Sequence, residues 1–312
     1  MLSFIKNWTL PLAMLAGALG YFAYISTPIF DGTHQMALTI VAIVQPLLLF
    51  AMLFLTFCKV KPRDLRFAPW QGWLLLLQTT GFLLAALVLQ LLSPDNHWRM
   101  VAEGAMLCLI CPTATAAAVV TRRLGGDPGS LMAYSIIINL AVALLVPAIV
   151  PWVHPQPGFT FFHSFLIIIS KVFPLLLGPF FLSMLLRQVS PKATEWLGNK
   201  RDLPFYLWSV SLALAIAMST RSIVHTHCPW QYQMGIAAIS LIACILQFAF
   251  GRKTGRCYGD PITAGQACGQ KNTVLIIWMG YTFMTPITSI AGGFYSIWHN
   301  LYNSWQLYRI RQ

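Results

Sequence analysis

The sequence predicts an all-α polytopic membrane protein, with ten transmembrane helices in two inverted five-helix repeats. Three observations support this fold class: the apolar composition, ten apolar stretches of spanning length, and basic residues gathered on one side of those stretches. Of the 312 residues, 57% are hydrophobic and 9% are charged, whereas soluble domains are about one quarter charged. This composition excludes a soluble globular enzyme and a disordered chain.

Each apolar stretch is long enough to cross the hydrocarbon core, which needs about 20 residues as a helix. Short connections rich in turn residues separate them, such as the glycine-rich segment at 125–129. Polar residues interrupt the fourth and ninth stretches, so we expect both to be broken helices. The predicted spans are residues 8–27, 36–57, 71–92, 100–122, 130–153, 161–187, 204–224, 233–250, 261–283 and 285–307.

The net charge of +12 is explained by topology. When ten spans are threaded, 16 of the 20 lysines and arginines fall on the side of the two termini. The positive-inside rule therefore predicts cytoplasmic termini, and the basic excess does not indicate nucleic-acid binding. The four exceptions are Arg99, Lys171, Arg221 and Lys271.

The two halves of the chain, residues 1–157 and 158–312, each hold five spans, and an odd number inverts a duplicated unit in the membrane. The breaks occur at corresponding places, after Cys111-Pro112 in span four and after Cys268-Gly269 in span nine. Paired broken helices indicate a transport site, because half-helix N-termini attract anions. The alternative is that Pro112 only kinks a packed helix. The predicted substrate-binding residues are Thr113, Ala114, Thr115, Gln270, Lys271 and Asn272.

Three segments resemble the bile acid:sodium symporter family: residues 111–127, residues 266–273, and the basic loop at 59–66. The resemblance extends to the ten-span layout of the bacterial members. It implies a core domain of spans 3–5 and 8–10 that moves against a panel domain of spans 1, 2, 6 and 7. It further implies crossing of spans four and nine, alternating access to a small or amphipathic organic anion, and location in a bacterial cytoplasmic membrane.

The sequence departs from this family at both sodium sites that the resemblance implies. Ala117 and Ala118 stand where the family has a Ser-Asn pair, and Leu131 stands at or near another ligand position, while Ser135 keeps a hydroxyl. Methyl groups cannot replace the oxygen ligands of a hard cation. The second site keeps three amide side chains and no carboxylate: Gln78, Gln266 and Gln270.

Lys271 replaces the family's asparagine, and a lysine inside a span is a functional hypothesis by default. We expect its ammonium to act as a tethered cation in place of sodium, with Gln266 and Gln270 accepting its hydrogens. The alternative is that Lys271 snorkels to the cytoplasmic surface. Sodium coupling should then be weak or absent, a proton is the other candidate coupling ion, and no cofactor is expected.

Two other intramembrane charges are less informative. We expect Glu103 to lie at the outer interface, and Lys171 to face the substrate cavity or to pair with Glu103.

Neither H-E-x-x-H nor G-x-S-x-G occurs in the chain, so the sequence predicts no enzyme. The open alternatives are a sodium-coupled symporter that uses the residual second site and a non-transporting membrane receptor or scaffold. The predicted partners are the lipid bilayer and an organic anion.

Overall fold

A computed structural model describes residues 2–30, 32–60, 62–93, 95–155, 158–200, 203–226 and 228–310. Within these ranges the chain is all-helical, and its only extended pairing is an isolated bridge between Thr113 and Lys271. The predicted all-α class is therefore confirmed. The α helices are α1 (Leu2–Ser26), α2 (His34–Lys59), α3 (Pro69–Leu91), α4 (Trp98–Ile110), α5 (Ala117–Arg123), α6 (Pro128–Val153), α7 (Phe161–Val189), α8 (Pro191–Asn199), α9 (Leu203–His225), α10 (Trp230–Arg256), α11 (Pro261–Gly269), α12 (Thr273–Phe283) and α13 (Ile290–Ile310).

Six helices of the described ranges, α2, α3, α6, α7, α9 and α10, are long and apolar enough to cross a membrane. The two spans predicted to be broken are helix pairs, α4 with α5 and α11 with α12. Helices α1 and α13 occupy the first and tenth predicted stretches. The short helix α8, between α7 and α9, was not predicted, because its nine residues have no net apolar character.

Proline sets several helix starts. Pro69, Pro128, Pro191 and Pro261 stand in the first turns of α3, α6, α8 and α11, where the missing N–H removes no intrahelical bond. The carboxylate of Asp127 caps α6 by accepting from Gly129 N at 2.8 Å. These local signals fix the helix starts close to the predicted positions.

The helices pack in two groups. In one group, α2 packs against α7 and α9, and α1 packs against α9. In the other group, α10 contacts α4, α11 and α13, while α3 contacts α4 and α6. The groups meet where α6 packs against α7 and where α9 packs against α12. The two helix breaks therefore lie in the second group, beside the boundary with the first.

Large apolar side chains remain exposed on the outward faces of the helices. Leu15, Leu84 and Leu246 are 57%, 62% and 59% exposed. Soluble monomers rarely expose contiguous apolar surface of this kind, so the outer surface of the protein suits hydrocarbon. Many polar side chains, such as those of Gln78, Asn139 and Gln247, are instead buried between helices, where each needs a partner from the protein.

Candidate functional site

The first helix break lies between α4 and α5. Helix α4 ends at Ile110. Pro112 follows after Cys111 and lacks the N–H that a continuing helix would donate. Helix α5 begins only at Ala117. Residues 111–116 therefore cross the protein interior as irregular backbone, which is tolerated at membrane depth only where protein or a cavity satisfies its polar groups.

The second break lies between α11 and α12. Helix α11 ends at Gly269, where a Cβ atom would lie 2.3 Å from Cγ of Phe248. Only glycine allows α10 to approach this closely. Helix α12 begins at Thr273, and the side chain of Asn272 caps it by accepting from Leu275 N at 3.3 Å. Asn272 is thus engaged with its own helix.

The two breaks satisfy each other's backbone groups. Ala114 N donates to Gln270 O at 2.8 Å, and Asn272 N donates to the carbonyl oxygen of Pro112 at 2.9 Å. These bonds flank the antiparallel pair of Thr113 and Lys271. The structure therefore brings all six predicted substrate-binding residues into one crossing. The same bonds occupy the N–H groups of Ala114 and Asn272, which could otherwise donate to an anion.

Lys271 is buried at this crossing, with 1% of its surface exposed. Its Nζ lies 3.4 Å from the carbonyl oxygen of Leu109, in the last turn of α4. The last carbonyls of a helix have no intrahelical partner and form the negative end of its dipole. Lys271 therefore places a cation at the C-terminal end of the half-helix α4, and it does not snorkel to the surface.

The expected acceptors of the Lys271 ammonium make other contacts. Gln266 Nε2 donates to Asn303 Oδ1 at 2.9 Å, so the Gln266 side chain is oriented toward α13. The Oε1 atoms of Gln266 and Gln270 are buried and have no hydrogen-bond partner. The expectation that these two glutamines accept from Lys271 is therefore wrong for this conformation, in which the nearest acceptor is a backbone carbonyl of α4.

Two of the three amides of the residual sodium site, Gln78 and Gln266, bond to different partners. Tyr134 OH donates to Gln78 Oε1 at 2.8 Å, and Gln78 Nε2 lies 3.5 Å from Cys268 O. Gln266 instead bonds Asn303, as described above. At the first site, Ala117 and Leu131 are fully buried methyl-bearing side chains. Among the described residues, no cluster of three or more His, Cys, Asp or Glu side chains is placed to hold a metal.

A narrow cleft lies between α2, the first break and α6. It holds about 10 Å³ of open volume, roughly the space of one water molecule. The first predicted substrate segment lines it, whereas Gln270, Lys271 and Asn272 lie behind that segment. Sequence reasoning missed Thr56 and Asn139 here, although a polar residue inside an apolar span is the signal that marks Asn139. The lining residues are Leu53, Thr56, Phe57, Thr113, Ala114, Thr115, Met132, Ser135 and Asn139.

Glu103 is buried, with 1% exposure, and its place at the outer interface stays a prediction. Its carboxylate accepts from Thr285 N at 3.1 Å and from Thr285 Oγ1 at 3.2 Å. His154 Nδ1 lies 3.3 Å from Glu103 Oε1. These three contacts take the place of water around the carboxylate. Glu103, His154 and Thr285 also line a pocket of about 480 Å³.

Lys171 does not pair with Glu103. Its side chain is exposed, and its Nζ lies 5.9 Å from the ring centroid of Phe283. That geometry is a cation–π contact. Lys171 also does not line the cleft described above.

Comparisons with known proteins agree with this architecture. The sequence model of the SBF-like CPA transporter family, a group similar to the bile acid:sodium symporters, matches residues 25–285. The matched region includes both helix breaks, the cleft and Gln78. A comparison with curated proteins finds no match.

Proposed function

Because the chain belongs to the SBF-like CPA transporter family, we propose that it is a secondary transporter of a small or amphipathic organic anion. It works by alternating access, as an integral protein of a bacterial cytoplasmic membrane with both termini in the cytoplasm. Ten spans in two inverted repeats, 1–157 and 158–312, form the transporter. The observation that carries the proposal is Lys271, a buried cation at the crossing of two broken helices.

The packing of the helices supports a moving core and a panel. Helices α1, α2, α7 and α9 correspond to the predicted panel spans. They form one connected group, in which α1 packs on α9 and α2 packs on both α7 and α9. The helices of the predicted core spans contact one another around α10. The cleft lies at the boundary of these two groups, so relative motion of the groups would open or close it.

Lys271 supports the proposal that the substrate is an anion, because it adds a fixed positive charge where the protein supplies no carboxylate. Among the described residues, no acidic side chain lies within ion-pair distance of its Nζ. The half-helix C-terminus at Leu109 is the type of end that coordinates sodium in transporters with broken helices. A tethered ammonium in that position fills the role of the bound ion, and transport then needs little or no sodium.

A sodium-coupled symporter is the second candidate. The buried, unpartnered Oε1 atoms of Gln266 and Gln270 favour it, because amide oxygens are suitable ligands of a hard cation. Substitution of Lys271 by asparagine restores the residue type of the sodium-dependent relatives. If Lys271 substitutes for sodium, Lys271→Asn should gain sodium-stimulated uptake; if the glutamines already bind sodium, the wild-type protein should show it.

Counterflow in proteoliposomes tests whether the protein transports at all. Vesicles loaded with unlabelled taurocholate or lactate are diluted into medium that contains a trace of the same labelled acid. A transporter of either acid accumulates label transiently, whereas protein-free vesicles do not. Binding of either acid at equilibrium without counterflow would instead support the receptor alternative and would contradict the proposed function.

A further inference from the structure

Asn139 presents an unused hydrogen-bond acceptor at the cleft. The residue is 1% exposed, in the middle of α6, and its Nδ2 donates to the carbonyl oxygen of Ser135 at 2.7 Å. Its Oδ1 is buried and has no hydrogen-bond partner. A buried acceptor without a donor destabilises the folded protein, so this atom calls for a donor that the described residues do not supply.

The orientation of the Asn139 amide follows from its neighbour. If the amide were flipped, Oδ1 would face the carbonyl oxygen of Ser135, and two acceptors would be in contact. The observed orientation keeps the bond to Ser135 and leaves the oxygen of this cleft-lining residue without a partner. The free atom is therefore an acceptor and not a donor.

Two of the four hydroxyl groups that line the cleft, those of Thr56 and Thr113, also have their donors engaged. Thr56 Oγ1 donates to Met52 O at 2.7 Å, and Thr113 Oγ1 donates to Ala267 O at 2.8 Å. Each hydroxyl hydrogen is thus used, and only oxygen lone pairs remain for a ligand. Thr56, Thr113 and Asn139 come from three separate segments, α2, the first break and α6, and all three line the cleft.

These three acceptors attract O–H or N–H groups, whereas the hydroxyl groups of Thr115 and Ser135, which line the same cleft, can donate to a carboxylate. We infer that the acceptor wall of Thr56, Thr113 and Asn139 recognises a hydrogen-bond donor on the transported anion. The inference rests on the proposed function and narrows its substrate class to organic acids that carry a hydroxyl or amino group. A hydroxyl group is about the size of the one water molecule that the cleft accommodates.

Matched pairs of acids test this inference on the full-length protein in detergent. Binding is measured by calorimetry for lactate against propionate and for cholate against 5β-cholanate, since each pair differs by its hydroxyl groups. We expect the hydroxylated acid of a pair to bind about tenfold more tightly, which corresponds to roughly one net hydrogen bond. In Asn139→Leu this preference should fall to about threefold or less, with little change for the deoxygenated acid.

Two further variants keep the test independent of folding defects. Thr56→Val removes a second acceptor of the wall from another helix and should also reduce the preference. Asn300→Leu is the matched control, because Asn300 makes the same Nδ2 bond to a carbonyl four residues earlier, Ser296 O at 2.7 Å, but does not line the cleft. Asn300→Leu should keep the wild-type preference.

The outcomes separate this inference from the proposed function. Binding without a preference for the hydroxylated acids would overturn the inference and leave anion transport intact. An unchanged preference in both Asn139→Leu and Thr56→Val would overturn the inference as well. If the wild-type protein binds none of the four acids, the result contradicts the proposed function and therefore also the inference that rests on it.

Discussion

Replacing Lys271 with methionine should stabilise the protein while it impairs transport. Methionine has nearly the same length as lysine but carries no charge. The lysine is 1% exposed, and the one hydrogen bond of its ammonium within the described part of the chain, to Leu109 O, is 3.4 Å long. Burial of an ammonium group costs several kcal/mol even after the protein relaxes around it. We therefore expect the charge of Lys271 to be retained for its role in transport and not for stability.

The expected gain in stability is the cost of burying the ammonium minus the stabilisation that its contacts with α4 provide. The C-terminal end of a helix stabilises a nearby cation by about 0.3–2 kcal/mol, and a long hydrogen bond adds at most about 1 kcal/mol. Against a burial cost of several kcal/mol, the net gain for Lys271→Met is about 1–4 kcal/mol. With about 2 °C for each kcal/mol in a large domain, Tm should rise by roughly 2–8 °C.

The assay is thermal unfolding in detergent, followed by uptake in proteoliposomes. Gln247→Leu serves as the control, because Gln247 is equally buried but fully bonded: its Nε2 donates to Cys108 O at 3.2 Å and to Tyr295 OH at 3.1 Å. This control should lower Tm. A lower Tm in Lys271→Met would refute the reasoning, since Lys271 would then be a structural cap of α4. Undiminished uptake would refute its functional part.

Three further predictions concern stability and are checked by the same unfolding assay. Arg99→Met should cost about 2–4 kcal/mol, because half-buried Arg99 donates to three backbone carbonyls at the ends of α3 and α6; an unchanged Tm would show that these contacts contribute little. Gly292→Ala should cost at least about 1 kcal/mol, since its Cβ would lie 2.7 Å from Thr273 O, and a neutral result would mean that α12 and α13 separate easily. Thr285→Val removes one of the donors to Glu103 and should cost about 1–2 kcal/mol, whereas a stabilised variant would contradict the role assigned to that contact.

The helices and their breaks were predictable because their causes are local. Apolar length determines which segments form long helices. Pro112 marks a break because polar residues follow it, whereas Pro46 and Pro174 lie inside continuous helices. The need for glycine at position 269 could not be predicted from the sequence, because it arises from the close approach of Phe248 on another helix. The break was nevertheless found, because polar residues crowd the same place.

The side-chain partners were not predictable, because they come from distant parts of the chain. Glu103 contacts His154, the residue after α6, and Thr285, which lies after α12. Which face of α4 turns toward those elements depends on helix packing and not on local periodicity. Lys271 likewise finds a carbonyl of α4 in place of the glutamines on its own break. A resemblance to sodium-binding relatives favours the glutamines, since it transfers ligand positions but not the new geometry of a longer, charged side chain.

The acceptor wall was missed for a related reason. Asn139 stands out in an apolar span, but its importance depends on Thr56 of α2 and Thr113 of the first break facing the same space. Three residues that are far apart in sequence acquire a shared role only when two helix groups meet. Their donors are also engaged by backbone carbonyls, a detail that only atomic positions reveal.

The central claim is that the ammonium of Lys271 replaces a bound sodium ion. It is tested most directly by the initial rate of labelled taurocholate or lactate uptake into proteoliposomes, with an inward sodium gradient or with choline in place of sodium. For the wild-type protein the account predicts equal rates in the two media, and for Lys271→Asn a lower rate in choline that sodium partly restores. Wild-type uptake that requires sodium would contradict the claim.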